Sequence, residues 1–152
     1  LEEQQNIKSF FIEIGGEIRS TSLKSNDQPW KAGIVNPSDQ DKIIYTFLSS
    51  SFDSFALATS GDYRNVRILN EKEFSHTMNT FSGLPSSFSK KSVTVISENA
   101  MKADALATAL NAMKLEQAIN YSNKEGIKAL FITEIEGQTN LLFSDDLEHV
   151  KI

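Results

Sequence analysis

Cysteine is absent from the 152 residues, which removes disulfides, thiolate metal sites and cysteine nucleophiles but does not choose a redox compartment. Histidine occurs only twice, at His76 and His149, so imidazole clusters for metal or acid–base work are not available. Basic residues never gather beyond Lys90-Lys91, and the net charge is −5 with a pI near 5.0. A nucleic-acid partner is therefore not expected, because affinity for the phosphate backbone rests on clustered cations. No apolar run approaches the about 18 residues that would suggest a membrane-spanning helix. The opening Leu1-Glu2-Glu3-Gln4-Gln5 has no initiator Met, basic region or apolar stretch, so no signal peptide is visible. It has the character of a helix end, and the chain is expected to be a piece cut from a longer protein.

What remains is an ordinary globular composition. Hydrophobic residues make up 39% and charged residues 23%, enough apolar content for one domain with a real core and no staples. Short β-rich runs dominate the first two-thirds. They are Phe10 to Ile14, Glu17 to Leu23, Trp30 to Val35, Ile43 to Leu48, Phe55 to Thr59, a hairpin around Asn70, and Ser92 to Ile96. Thr77 to Ser89 is rich in Ser, Thr, Gly and Pro and is expected to be a long loop, a common place for function. The texture then turns helical. Asn99 to Met113 carries Ala, Leu and Met with Thr108 as its only β-branched residue, and a second helix runs from about Leu115 to Lys124 with Gly126 as its cap. A final hairpin, Ile127 to Ile135 and Thr139 to Phe143, closes an α+β pattern: largely antiparallel sheet, a buried Ala-rich helix, and a second helix packed on it.

Between Ala103 and Met113, Asp104 is the only charge. Leu106, Leu110 and Met113 share one helix face as a core stripe, and helical spacing puts Asp104, Thr108 and Asn111 together on the opposite one. A carboxylate and a hydroxyl one turn apart are suitable hard oxygen ligands for Mg²⁺. On spacing alone the favoured alternative is a solvated Asp on an exposed face, beside a Thr bonded back to its own helix. Gly15-Gly16 permits either close backbone approach to a ligand or a tight bend. Ala58-Thr59-Ser60-Gly61-Asp62 either offers N–H groups to a phosphate or forms a plain turn. His76, at the start of the long loop, is either a base or a packing residue.

Taken in order, these segments carry a resemblance. The blocks Gly15-Gly16-Glu17-Ile18-Arg19, Thr59-Ser60-Gly61-Asp62-Tyr63-Arg64 and Ala103-Asp104-Ala105-Leu106-Ala107-Thr108-Ala109-Leu110 closely resemble the C-terminal half of the ApbE family. Trp30-Lys31-Ala32-Gly33-Ile34, Phe74-Ser75-His76, Ser82-Gly83-Leu84-Pro85 and Ser92 to Ile96 fall between them in the family's order. The resemblance runs from about Phe10 to Phe143. It implies that residues 1–152 are the C-terminal portion of a single flavin transferase domain whose N-terminal half is absent.

The family's activity is Mg²⁺-dependent transfer of FMN from FAD to a Thr or Ser hydroxyl of a target flavoprotein, with release of AMP. The resemblance makes Asp104 and Thr108 the metal ligands, His76 and Asp104 the catalytic residues, and Ser60, Gly61, Thr77 and Met78 the flavin contacts. Asn79 departs from the family pattern, which has Asp at that position, so a carboxylate role there is lost. The implied partners are FAD and an acceptor flavoprotein subunit, and the implied location is the periplasmic side of the bacterial inner membrane. The chain alone is expected to be inactive and to pair with a second copy through the surface its missing half leaves. The alternatives are a non-catalytic module binding Mg²⁺ and flavin nucleotide, or an FAD pyrophosphatase yielding FMN and AMP.

Overall fold

A computed structural model describes residues 7–61, 66–69, 72–75 and 91–148, the two four-residue stretches by their backbone. Ten strands and three helices are present among them. Six strands form one antiparallel sheet. In chain order they are β1 (Phe11–Ile14), β2 (Glu17–Ser20), β5 (Phe55–Gly61), β8 (Ser92–Ser97), β9 (Lys128–Ile135) and β10 (Gln138–Phe143). Their order across the sheet is β1-β2-β5-β8-β9-β10. Two separate hairpins are β3 (Lys31–Asn36) with β4 (Asp39–Leu48) and β6 (Val66–Leu69) with β7 (Lys72–Ser75). The helices are α1 (Ala100–Ala112), α2 (Leu115–Lys124) and the single turn α3 (Asp145–Glu148). The α+β class and the mostly antiparallel sheet read from the sequence are what the structure has.

Strand alternation sorts the central strands into two cores. Val93, Val95, Ala129 and Phe131 point to one face, where Ala107 and Leu110 of α1 and Ala118 of α2 meet them. Leu57, Ile96, Leu130 and Ile132 point to the other, against Ala32, Ile34 and Phe47 of the β3–β4 hairpin. The sheet is thus the middle layer of three. A row of aromatic rings, Tyr45, Phe47, Phe52 and Phe55, packs edge-on or tilted through the hairpin side, with centroids 4.8 to 6.3 Å apart.

α1 lies over β5 and β8 and reaches β2. Small residues permit this approach: Ala103 and Ala107 of the helix and Ala56 and Ala58 of β5 are all fully buried. Asn99 caps the helix by accepting from the Lys102 N–H at 2.8 Å. The buried stripe is Ala103, Ala107, Leu110 and Asn111, with Leu106 and Met113 only partly buried beside α2. This differs from the Leu106–Leu110–Met113 stripe expected from the sequence. The close Ala–Ala seam turns the helix so that Ala103 and Ala107 meet the sheet together with Leu110, the one residue of the expected stripe that is fully buried. Asn111 is carried into the interior with it.

Two turn expectations resolve here. Gly15-Gly16 is the tight turn between β1 and β2, with φ of 67° and 108°, the pairing of positive φ values that a type I′ two-residue hairpin turn requires. Its Gly16 N–H is already taken by Glu13 Oε1 at 2.9 Å. Gly126, at φ 64°, ends α2 as expected, and a Cβ there would meet Asp146 Oδ2 at 2.9 Å. Residues 58–61 are neither a nest nor a turn. They continue β5 in register with β8 as far as Gly61 opposite Ser92. β4 also starts earlier than the sequence suggested, at Asp39, with a bulge near Val35 that absorbs the Asn36-Pro37 corner.

Candidate functional site

α1 leaves β8 at Ser97 and runs back over the strand it came from, so its last turns lie toward the Ser92 end of the sheet. Along β5 the helix side is formed by Ala56, Ala58 and Ser60. Ser60, half-buried, therefore lies on the same face as α1 and toward the helix's C-terminal half. Gly61 follows it at the strand's last position and faces the other way. Thr59, on that other face, shares a 2.8 Å hydroxyl contact with the buried Thr94.

Asp104 and Thr108 are both exposed. With about 3.6 residues per turn, they fall on one flank of α1. The opposite flank carries Leu106 and Met113, which join α2, so the Asp104–Thr108 flank looks out over the β2 side. Arg19 is opposite Ala56 in the β2–β5 ladder and so shares that face; its Nη1 donates to Ser54 Oγ. The sequence had flagged Arg19 only as part of a motif. Nothing in its spacing revealed that the guanidinium is tied to the loop before β5. Asn111, expected beside Asp104 and Thr108, is instead buried at 1% exposure.

Of the remaining expected site residues, His76, Thr77 and Met78 lie outside the described residues, as does Asn79. The structure therefore brings Ser60, Asp104 and Thr108 to one side of the sheet, with Gly61 at the end of the same strand. Asp104 and Thr108 offer two hard oxygen donors, both accessible and one turn apart. That suits Mg²⁺, which typically takes one or two protein oxygens and fills its other positions with water and phosphate. Among the described residues there is no group of three or more His, Asp or Glu that would build an all-protein metal cage. A cation entering with a nucleotide fits this donor set.

A cavity of about 460 Å³ opens at the other end of the strands, lined by Phe52, Ser54, Ile96, Lys102, Leu106 and Ile127 among others. Of the expected site residues that are described, Ser60, Gly61, Asp104 and Thr108, none lines it. No helix among the described residues is long and apolar enough to cross a membrane.

A family model described as the ApbE family matches residues 1–131. The FAD:protein FMN transferase of Vibrio cholerae is 33% identical over 134 residues, covering 88% of this chain and 40% of that protein. The crystal structure of an ApbE protein from Thermotoga maritima superposes with a TM-score of 0.77 at 28% identity, over 93% of this chain and 44% of that one. The apo form of the flavinyl transferase ApbE from Pseudomonas stutzeri gives 0.78 at 27% identity, over 95% and 44%. The chain thus spans about 40% of the length of the curated relatives it matches.

Proposed function

The chain belongs to the ApbE family, and from that premise we propose that it forms one wall of an enzyme that moves FMN from FAD to a Thr or Ser hydroxyl of a flavoprotein, releasing AMP. Asp104 and Thr108, exposed together on α1 in a member of this family, carry the reading.

In this reading the acceptor hydroxyl oxygen attacks the phosphorus of the FMN moiety. The bond from that phosphorus to the bridging oxygen breaks, and AMP departs with that oxygen. His76 takes the hydroxyl proton as general base. Ser60, Gly61, Thr77 and Met78 orient the flavin ring. Asp104 and Thr108 hold Mg²⁺, which when bound would offset charge on the pyrophosphate oxygens. Positioning dominates such transfers, since the protein has little covalent work to do. The rest of the nucleotide site comes from the part of the family's length that this chain does not span. The reaction takes place on the periplasmic side of the inner membrane.

A second reading is a binding module for flavin nucleotide and Mg²⁺, favoured for the 152-residue chain alone because it spans about 40% of its relatives. Hydrolysis of FAD to FMN and AMP is a third product pattern. One experiment separates them. The complete protein is incubated with FAD, Mg²⁺ and a Thr-containing acceptor peptide, and the products are weighed. Peptide joined to FMN, with AMP released, is the expected result. FMN and AMP with unmodified peptide would make the protein a pyrophosphatase, and FAD bound but unchanged would make it a binding module.

A further inference from the structure

The seam between α1 and β5 is periodic. α1 runs back over β8, which is antiparallel to β5, so helix and β5 advance in the same direction. Four helical residues advance about 6 Å and two strand residues about 6.6 Å. The inner row of the helix, Ala103, Ala107 and Asn111, therefore keeps step with Ala56, Ala58 and Ser60. At the first two levels both sides are alanines without exposure. At the third, a buried carboxamide comes to the level of a half-buried hydroxyl.

Asn111 is the one polar residue among the four that α1 buries. An amide is costly to bury where alanine already serves at the two preceding turns. Its place on the helix is also particular. It follows Ala107 by four residues and Thr108 by three, so it borders both the seam and the donor flank. Asn111 thus stands between the Asp104–Thr108 pair and Ser60. A carboxamide carries donors and an acceptor, and can complement a hydroxyl in either of its roles.

We propose that Asn111 is a positioning residue of the transfer site, a role that rests on the reading of Ser60 as a flavin contact. With a flavin nucleotide bound, its carboxamide hydrogen-bonds the Ser60 hydroxyl and fixes the direction in which that hydroxyl meets the flavin. One helix then governs both ends of the FMN unit. Its exposed flank holds the cation at the phosphate, and the last member of its inner row aligns the contact to the ring.

The test uses the complete protein, with FAD affinity read from flavin fluorescence and peptide–FMN formation followed on the same preparations. Asn111→Ala extends the alanine row and suits a helix. Asn111→Leu keeps bulk at the position without the amide. Each should weaken FAD binding about tenfold, the worth of one hydrogen bond, and Ser60→Ala should do the same. In the Ser60→Ala background neither Asn111 change should weaken binding further, because the shared interaction is already gone. An amide that serves only the fold would leave the two losses multiplicative. Multiplicative losses, or FAD binding by either Asn111 variant as tight as that of the unmodified protein, would overturn the proposal. Failure of the unmodified protein to bind FAD would overturn it together with the transfer reading. The expected affinities without any peptide–FMN product would sink the transfer reading alone and leave the role of Asn111 standing.

Discussion

Thr108 follows Asp104 by one turn on the exposed flank of α1, while Ala103 and Ala107, each one residue before them, are sealed without exposure against β5. In the proposed reading the two rows have opposite duties. The alanines set how closely the helix approaches the sheet, and that approach fixes where the two oxygen donors point. Changes in one row should therefore be separable from changes in the other.

Enlarging the buried row tests its part. Ala107→Leu would push three extra carbons and their hydrogens into a seam where Ala58 and Val95 leave no exposure. Overpacking of this kind costs about 1–3 kcal/mol. Denaturant unfolding of the 152-residue chain should register that loss. A variant as stable as the unmodified chain would mean that the seam is looser than described.

Ser144 makes a second, independent prediction. Its buried hydroxyl accepts from Ala129 N at 2.9 Å and donates to Ile127 O at 2.7 Å, tying the start of β9 to the end of β10. Ser144→Ala removes both partners and leaves a buried N–H and C=O less satisfied, a cost of about 1–3 kcal/mol. Ser144→Cys, with a weaker donor and acceptor, should fall between the two in the same unfolding measurement.

Acid sensitivity should involve Glu134. Ser38 Oγ donates to its Oε2 at 2.7 Å and Lys91 Nζ stands 3.5 Å away. The Ser38 hydrogen bond first, and the Lys91 charge second, hold this carboxyl below its usual 4.5. A folded-state value lowered in this way stabilises the fold above the unfolded value and loses that contribution as pH falls through the folded one. Stability should thus decline below about pH 4.5 in part through this group. Glu134→Gln should flatten that portion of the acid limb and leave the neutral region nearly unchanged, as read by melting temperature against pH. An acid limb of unaltered slope would remove Glu134 from the account.

Much of the layering was legible in the residues. The Gly15-Gly16 pair announced a tight corner, and the switch from β-branched strands to Ala-Leu-Met text after Ile96 marked where α1 begins. What could not be read was which side of α1 faces inward. Leu106 and Met113 were the more apolar choice, but Ala56 and Ala58 across the seam favour contact with other alanines, and that preference belongs to two segments distant in sequence. Residues 58–61 misled for the opposite reason. Their small polar composition suits a turn, yet the ladder to β8 holds them as strand to Gly61. The β3–β4 hairpin alternates clearly, but alternation does not say which sheet a strand joins. That Asp104 and Thr108 share one exposed flank was legible because helical spacing alone brings them together. Arg19 was not, since its partner Ser54 is reached only through the fold.

The central claim is that the exposed pair on α1 serves the chemistry and not the fold. The most direct measurement is Asp104→Asn in the complete protein, with peptide–FMN formation followed across a Mg²⁺ titration and melting temperature recorded on the same preparation. An exposed side chain predicts a stability change within about 0.5 kcal/mol. The account predicts loss of transfer at all Mg²⁺ concentrations with the melting temperature preserved. Transfer within a few-fold of the unmodified protein, at an unchanged Mg²⁺ requirement, would contradict it.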